Sequence, residues 1–192
     1  MDDTFDPRLV VVDGSDSALA AAVELFDQEV IFGLEKDNPI MVSFRRDLDA
    51  ETATLHGMGE RLSLACLVGT EVAARSLLNL EPVLGEWLGA GAVADSIMRG
   101  RRWASLGGDL VHPRFRRRGL QALMIRYRLD ELARRGYDYA ISSMLEPNQA
   151  SYRNYLAQGF SLIGRKRVEW GAHAMAGISS DEVLIVGRAL AA

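Results

Sequence analysis

One stretch in the second half of the chain constrains the fold most, because a strand pattern changes into a helix pattern there. Residues 106–112 are mainly apolar and stop at a proline, and arginine then fills four of the five positions 114–118. Residues 119–135 repeat apolar side chains at helical spacing until Gly136, a residue type that often follows the last turn of a helix. A strand that leads into a helix through a short loop is typical of an α/β domain.

The rest of the chain carries further strand and helix patterns. Short apolar or β-branched runs predict strands, and longer runs with apolar residues three and four apart predict helices. The predicted strands are residues 9–12, 62–68, 72–80, 137–144, 160–170 and 182–190, and the predicted helices are 15–35, 44–58 and 148–158. We therefore predict a single α/β domain over residues 1–192, with one mixed, mostly antiparallel sheet flanked by helices.

Residues 81–104 do not fit this alternation of strands and helices. They include Pro82, four glycines and two of the three tryptophans. Glycine and proline weaken both regular structures. We therefore predict an irregular insertion here, with a short helix inside it.

Charge is distributed unevenly along the chain. Residues 1–96 hold 18 acidic and 6 basic side chains, whereas residues 97–192 hold 8 and 16. The basic half predicts contact with an anionic ligand, and the alternative is that its arginines only solvate helices. The net charge of −4 argues against a general nucleic-acid-binding protein.

Other features of the sequence narrow the class of protein. No apolar run reaches the roughly 18 residues of a membrane span, and the first six residues are acidic, unlike a secretory signal peptide. Cys66 is the one cysteine, which excludes an internal disulfide and fits a reducing compartment. Its spacing from His56 and His173 matches no metal site. We therefore expect a cytoplasmic protein without a membrane segment and without a metal ion.

The loop before Gly119 has the features of a phosphate-binding site. A helix start exposes unpaired N–H groups and the positive end of the helix dipole. Gly119 has no side chain, so a ligand can approach the backbone, and the arginines supply charge-assisted hydrogen bonds. The sequence contains neither the pattern of a P-loop nor that of a dinucleotide-binding fold. A different phosphate-bearing ligand is therefore indicated.

The residues of this loop resemble the coenzyme A loop of the GNAT superfamily of N-acetyltransferases. The order in that family is Gln or Arg, two residues, Gly, one residue, and Gly or Ala. Arg116 and Gly119 match its first and fourth positions, and Gln121 stands in place of the last Gly or Ala. The resemblance implies that Arg116, Arg117, Arg118, Gly119 and Gln121 bind the coenzyme.

A second segment resembles the same family at the spacing that the family requires. Residues 148–160 resemble its next helix and the Gly-Phe pair that enters the following strand. By this resemblance Asn148 binds the pantetheine arm of the coenzyme. Tyr155, about two helical turns further along the same face, lies near the thioester sulfur. The resemblance covers residues 106–190 well and the earlier part only in its element order.

The resemblance implies a function as well as a fold. In a GNAT acetyltransferase-like fold, pantetheine lies between two splayed strands and pairs with the backbone of Leu110 and Val111. The implied activity is an acetyl-CoA-dependent N-acetyltransferase, in which the primary amine of a small-molecule acceptor attacks the thioester directly. Tyr155 then protonates the departing thiolate, and Asp109 accepts the proton of the amine.

The sequence leaves several alternatives open. His112 and Glu146 are two further candidates for the base. A non-catalytic acyl-CoA-binding or regulatory module would need the loop but not Tyr155, and a protein amine is a second class of acceptor. Residues 81–104 either cover the acceptor pocket, form a homodimer contact or are a passive insertion.

Overall fold

The structure, a computed structural model, describes residues 5–13, 15–35, 38, 60–82, 84–167 and 181–190. The predicted helix at 44–58 lies outside these residues, as do His56 and His173. Within the described ranges, no helix has the length and apolar character needed to cross a membrane. Nor does the described part of the chain group three His, Cys, Asp or Glu side chains as ligands for a metal.

The described strands form one seven-stranded sheet. In chain order they are β1 (Pro7–Val12), β2 (Arg61–Val68), β3 (Glu71–Asn79), β4 (Trp103–Val111), β5 (Tyr139–Leu145), β6 (Ser161–Arg167) and β7 (Glu182–Ala189). Their order across the sheet is β1-β2-β3-β4-β5-β7-β6. Neighbouring strands are antiparallel except β4 and β5, which are parallel. The predicted mixed, mostly antiparallel sheet is therefore confirmed.

The described helices pack on both faces of the sheet. In chain order they are α1 (Ser17–Asp27), which continues as a π-helix over Gln28–Leu34, then α2 (Leu84–Trp87), α3 (Ala92–Gly100), α4 (Leu120–Arg134) and α5 (Gln149–Ala157). Leu129 of α4 and Tyr155 of α5 are buried in one cluster with Ala140 of β5. Met98 of α3 packs with Ile141, the next residue of β5, whose side chain points to the opposite face.

Residues at the helix starts explain where the helices begin. The carboxylate of Asp16 accepts a hydrogen bond from the N–H of Leu19 at 2.9 Å and caps α1. Gly119 precedes α4 with φ at +80°, a conformation that side-chain-bearing residues rarely adopt. The Asn148 side chain accepts from the N–H of Ser151 at 3.3 Å and caps α5. Each of these helices begins within two residues of the predicted position.

Residues 81–104 contain the short helix that was predicted within an irregular insertion, but they are more regular than that prediction. They include α2, all of α3 and the start of β4, which begins at Trp103 rather than at residue 106. α3 buries Ala94 and Met98 against β5 and β7. Glycines lie at the ends of this helix instead of interrupting it, and Ala94, Ile97 and Met98 recur at helical spacing on its buried side. The segment is thus a packed layer of the domain, and its role as a cover or a dimer contact stays a prediction.

Candidate active site

β4 and β5 separate toward their C-terminal ends. Their parallel pairing runs from Trp103 opposite Tyr139 to Leu106 opposite Ser142 and stops there, although both strands continue. Beyond this point the edge of β4 faces an opening instead of a neighbouring strand. Backbone N–H and C=O groups on such an edge are available to an extended ligand.

A β-bulge in β4 changes the direction of the side chains beside the opening. Between Arg75 and Leu77 of β3, the facing part of β4 contains one extra residue. Gly108, in the bulge, has φ at +61°, and a Cβ atom there would lie 3.0 Å from the Leu77 side chain. The bulge shifts the alternation of side chains, so that Leu110 packs against α1 while Asp109 points toward α4.

The start of α4 has the geometry of an anion site. The first backbone hydrogen bond of the helix runs from the N–H of Leu123 to the carbonyl of Gly119 at 3.0 Å. The N–H groups of residues 117–122 therefore have no carbonyl partner within the described ranges. Arg117 has φ at 61°, and a Cβ atom at Gly119 would meet no atom within 4 Å, so this backbone lies open to a ligand. Successive unpaired N–H groups of this kind suit phosphate oxygens.

Two of the loop arginines are paired with carboxylates. Arg114 forms an ion pair with Glu71. Arg116 pairs with Glu35, with 2.8 Å between Nη1 and Oε1, and its Nε donates to the carbonyl oxygen of Val111 at 3.2 Å. The positive charge of both residues is therefore partly balanced within the protein.

The other two arginines of the loop are Arg117 and Arg118. The guanidinium of Arg118 lies 4.9 Å from the centre of the Phe5 ring. Neither Arg117 nor Arg118 forms an ion pair with a carboxylate in the part of the chain that the structure describes. The charge next to the start of α4 is therefore left for an anionic ligand.

A buried ion pair joins β4 to α4 beside the opening. Nη2 of Arg128 donates to Oδ1 of Asp109 at 2.5 Å, and the two side chains are 0% and 7% exposed. Nη1 of Arg128 also donates to the carbonyl oxygens of Leu77 at 2.9 Å and Gly107 at 3.2 Å. Burial works to lower the pKa of Arg128, but the neighbouring Asp109 carboxylate outweighs it and the pKa is raised. Arg128 is therefore a permanent cation.

The hydroxyl of Tyr155 is a second partner of the same carboxylate. It donates to Oδ2 of Asp109 at 2.7 Å, and Nε2 of Gln121 donates to this oxygen at 3.2 Å. Tyr155 is 1% exposed, and its ring meets that of Phe160 edge-on with centroids 5.0 Å apart. Burial, and then the Asp109 charge, raises the pKa of Tyr155 well above its usual range. The structure therefore brings together the two residues predicted to be catalytic, with Tyr155 as a neutral donor.

Gln121 links this pair to α5. Its Nε2 also donates to Oγ of Ser151 at 2.9 Å, and its Oε1 accepts from Nδ2 of Asn154 at 2.5 Å. The small residue usual at this position of the family pattern has no side chain that could make these contacts. The result is a connected group of six polar side chains, named the polar network below: Asp109, Gln121, Arg128, Ser151, Asn154 and Tyr155.

Three members of the polar network lie outside the residues predicted from the sequence. Arg128 stands four residues after Met124 and four before Leu132, and both of these are buried. An arginine at this spacing in the apolar stripe of a helix is the signal that could have identified it. Ser151 and Asn154 carry no comparable signal, because polar residues are ordinary on a short helix.

The remaining predicted coenzyme contacts are Leu110, Val111 and Asn148, and the backbone of Leu110 is directed to β3 instead of to the opening. The N–H of His112 donates to the carbonyl of Ala73 in β3 at 3.0 Å. Successive strand residues direct their backbone groups to opposite sides, so Val111 faces the opening and Leu110 faces β3. Asn148 uses its Oδ1 as the cap of α5, and its amide nitrogen has no partner in the ranges that the structure describes.

The other candidates for base or nucleophile lie apart from the polar network. His112 is 3.4 Å from Oε1 of Glu29, and Glu146 pairs with Arg165 at 3.2 Å. Cys66 is buried in β2, and burial raises the pKa of its thiol to about 11. A thiol in this state is not a nucleophile at neutral pH.

Comparison with known proteins gives a clear result at the level of the fold. No protein-family model and no curated protein sequence matches the chain. Solved structures do match it over almost its full length. The ribosomal-protein-S18-alanine N-acetyltransferase from Escherichia coli superposes with a TM-score of 0.60 at 15% identity, over 97% of this chain and 96% of that one.

Two further structures show the same likeness. An acetyltransferase of the GNAT family from Streptococcus pneumoniae gives a TM-score of 0.62 at 14% identity, over 97% of this chain and 100% of that one. A GNAT superfamily phosphinothricin acetyltransferase from Sinorhizobium meliloti, in complex with acetyl-CoA, gives 0.58 at 14% identity over 96% and 88%. The chain therefore has the GNAT acetyltransferase fold, as the resemblance in its sequence predicts.

Proposed function

We propose that the chain is an acetyl-CoA-dependent N-acetyltransferase, which moves an acetyl group to the primary amine of a small-molecule acceptor. The observation that carries this proposal is the opening between β4 and β5, on a fold shared with acetyltransferases. Unpaired N–H groups at the start of α4 border it, and so does the contact between Asp109 and Tyr155. A coenzyme with phosphates at one end and a thioester at the other matches both features.

The phosphates of the coenzyme would meet the loop and the first turn of α4. The backbone N–H groups of Gly119 and Gln121 would donate to phosphate oxygens, since no carbonyl competes for them. Arg117 and Arg118 would add charge-assisted hydrogen bonds. Arg116 would add a third cation once its present ion pair opens. The open space around Gly119 supports this fit.

The pantetheine arm would lie along the open edge of β4. The carbonyl oxygen of Val111, the residue after Leu110, accepts from Nε of Arg116 at 3.2 Å and would pair with an amide of the arm once Arg116 turns to the phosphates. The free amide nitrogen of Asn148 would donate to the arm from the start of α5. This arrangement would bring the thioester toward Tyr155, whose hydroxyl belongs to the polar network.

Acetyl-CoA supplies an acyl group activated as a thioester. The N–H of Val111 would donate to the acyl oxygen, where negative charge develops as the neutral amine attacks. The single proton of the Tyr155 hydroxyl would turn from Oδ2 of Asp109 to the sulfur as the sulfur leaves. Because its pKa is raised by burial and by Asp109, Tyr155 holds its proton more firmly than a thiol of pKa about 8.5. Its main contribution is therefore a hydrogen bond rather than complete proton transfer.

Asp109 is the predicted base, and its contacts define how it could act. Oδ1 accepts from Arg128, and Oδ2 accepts from Tyr155 and Gln121. A proton from the acceptor amine reaches this carboxylate only through Tyr155 or after one of these hydrogen bonds opens. We therefore assign Asp109 first the role of fixing Tyr155. It would act as the base only once the phenol proton has turned to the sulfur and left Oδ2 open to the proton of the amine.

The proposed acceptor follows from charge. The first 96 residues carry 18 acidic and 6 basic side chains, which attract a cation such as a protonated amine. By their names, the E. coli protein acetylates an alanine of a ribosomal protein and the S. meliloti protein acts on phosphinothricin. A small amine is the proposed acceptor, and an amine on a protein is the second class to test.

One observation favours a non-catalytic acyl-CoA-binding module as a second candidate. Every oxygen of Asp109 already accepts a hydrogen bond, and Tyr155 is 1% exposed. A binding module would keep the anion site and leave this pair as a structural contact.

Calorimetry and an activity assay separate the candidates. Acetyl-CoA and CoA are titrated into the protein, and release of free thiol is then followed with a panel of small amines and N-terminal peptides. Binding together with amine-dependent thiol release supports the acetyltransferase. Binding without thiol release for any amine supports the binding module, and no binding of either coenzyme contradicts both.

A further inference from the structure

Arg128 is a buried cation that the steps above do not use directly. Its guanidinium has four acceptors, which are Oδ1 of Asp109 at 2.5 Å and the carbonyl oxygens of Leu77, Gly107 and Met124 at 2.9, 3.2 and 3.2 Å. Burial of a charge is costly unless the charge is paired and hydrogen-bonded. A leucine or methionine would fill the same apolar stripe of α4 without that cost.

The acceptors of Arg128 surround the bulge of β4. Leu77 and Gly107 lie opposite each other in β3 and β4, immediately before the extra residue. A planar guanidinium can hold both carbonyl groups and the Asp109 carboxylate in fixed directions, whereas a lysine ammonium has no such fork. Because Oδ1 of Asp109 is held in this way, Oδ2 is left in place to accept from Tyr155.

We propose that Arg128 is a positioning residue, which acts on the reaction through Asp109 and Tyr155. The proposal rests on the acetyltransferase function proposed above. Arg128 has no exposed surface, so it does not touch the substrate. It fixes the direction in which the carboxylate meets the phenol. Without its guanidinium the carboxylate is no longer fixed, and the phenol that it holds lies less often in the place from which its proton can turn from Oδ2 of Asp109 to the departing sulfur.

A double-mutant cycle tests this coupling. Arg128→Lys keeps the charge and removes the planar fork, and it is measured alone and together with Tyr155→Phe by transfer of a radiolabelled acetyl group. We expect the single substitution to lower kcat by about tenfold or more, while the KM for acetyl-CoA changes by less than about threefold. In the Tyr155→Phe background, the same substitution should change kcat by less than about twofold.

Arg134→Lys is the matched control. Arg134 lies on the same helix with its side chain 68% exposed and pairs with Glu131. This substitution should leave kcat within about twofold of the wild type in both backgrounds. The control shows that a change of arginine to lysine on α4 is not by itself harmful.

The outcomes separate positioning from a general effect on the fold. Equal losses of kcat in both backgrounds, or an unchanged kcat in Arg128→Lys alone, would overturn the proposal. If Arg128→Lys does not fold, the cycle is repeated with Asp109→Asn, whose side chain has the same shape. Equal losses of kcat in the wild-type and Tyr155→Phe backgrounds would again overturn the proposal. A wild-type protein that transfers acetyl to no amine contradicts the proposed function itself, and both proposals then fall.

Discussion

The hydroxyl of Tyr155 donates a hydrogen bond to Oδ2 of Asp109 at 2.7 Å, in a region almost closed to solvent. This contact keeps the phenol proton on the side of the carboxylate. Ionisation of the phenol would place two anions side by side at low effective dielectric constant, which is strongly unfavourable. In the proposed reaction Tyr155 would therefore be a neutral hydrogen-bond donor, once its proton turns from Asp109 to the sulfur.

Replacement of Tyr155 by phenylalanine should slow turnover without weakening coenzyme binding. Loss of a hydrogen bond to developing charge typically costs about 10²-fold or more in kcat. The coenzyme phosphates lie at the other end of the proposed site, so the affinity for acetyl-CoA should stay within about threefold. Steady-state thiol release and calorimetry measure the two effects. A parallel loss of affinity would indicate a packing role, and an unchanged kcat would remove Tyr155 from the mechanism.

Alkaline pH should destabilise the protein through Tyr155. Burial and Asp109 raise its pKa in the folded state above the value of about 10 in the unfolded chain. The folded state therefore holds the proton of Tyr155 more tightly than the unfolded chain does. The resulting contribution to the free energy of unfolding is complete below about pH 10 and is lost as the pH rises further. Urea unfolding is measured from about pH 8 to 10.5. Above about pH 10, the free energy of unfolding of Tyr155→Phe should decrease less than that of the wild type. Identical decreases would show that Tyr155 is not the group responsible.

The thiol of Cys66 should not react in the native protein. It is fully buried, and burial raises its pKa to about 11. At pH 8, Ellman's reagent should modify Cys66 only after unfolding in denaturant, so the folded protein contributes no background to an assay of released CoA. The raised pKa of Cys66 also contributes to the free energy of unfolding. This contribution is complete at pH 8 and decreases as the pH approaches 11. Rapid stoichiometric labelling of the folded protein would show that β2 opens locally.

Arg117 and Arg118, which form no ion pair with a carboxylate among the described residues, should carry the largest part of the coenzyme affinity. Arg117→Ala and Arg118→Ala should each weaken acetyl-CoA binding by about 1.5–3 kcal/mol, the range of a hydrogen bond to a charged group. Arg114→Ala is the matched control, because Arg114 pairs with Glu71, and it should cost less. Calorimetry at two salt concentrations measures this, and affinity should fall as salt rises. Equal losses of acetyl-CoA affinity for all three variants would indicate long-range electrostatic attraction by the whole loop instead of direct contacts from Arg117 and Arg118.

Gly164 of β6 should not tolerate a side chain. A Cβ atom there would lie 2.2 Å from the carbonyl oxygen of Ala90, in the segment before α3. That carbonyl accepts from the N–H of Arg165 at 2.8 Å, so it cannot move away without losing a hydrogen bond. Gly164→Ala should lower the free energy of unfolding by about 1–3 kcal/mol. Gly100→Ala, where a Cβ meets no atom within 4 Å, is the control, and equal effects in urea unfolding would contradict the packing argument.

The element order could be predicted because most elements carry a local signal. The turn at Gly69 and Thr70 joins β2 and β3, and Gly119 marks the start of α4. The position of β7 between β5 and β6 could not be predicted, since strand order depends on contacts between distant residues. α3 was missed for a different reason, because Gly89, Gly91 and Gly100 surround a helix of nine residues and outweighed the helical spacing of Ala94, Ile97 and Met98.

The candidate site was predicted in part for the same physical reason. The loop around Gly119 and the position of Tyr155 follow from short motifs, whereas the polar network depends on a shift of one residue in β4. Without that bulge, the alternation would place Leu110 toward α4 in place of Asp109. Gly108 was the one local sign of the bulge, and a glycine in a strand has several explanations.

The short pairing between β4 and β5 is the boundary between two parts of the sheet, β1–β4 on one side and β5, β7 and β6 on the other. This pairing joins Trp103–Leu106 to Tyr139–Ser142, and in the described sheet it holds the two parts together. A slight rotation about this seam would widen the far end without breaking an antiparallel ladder. The width of the opening therefore depends on the angle between these two parts of the sheet.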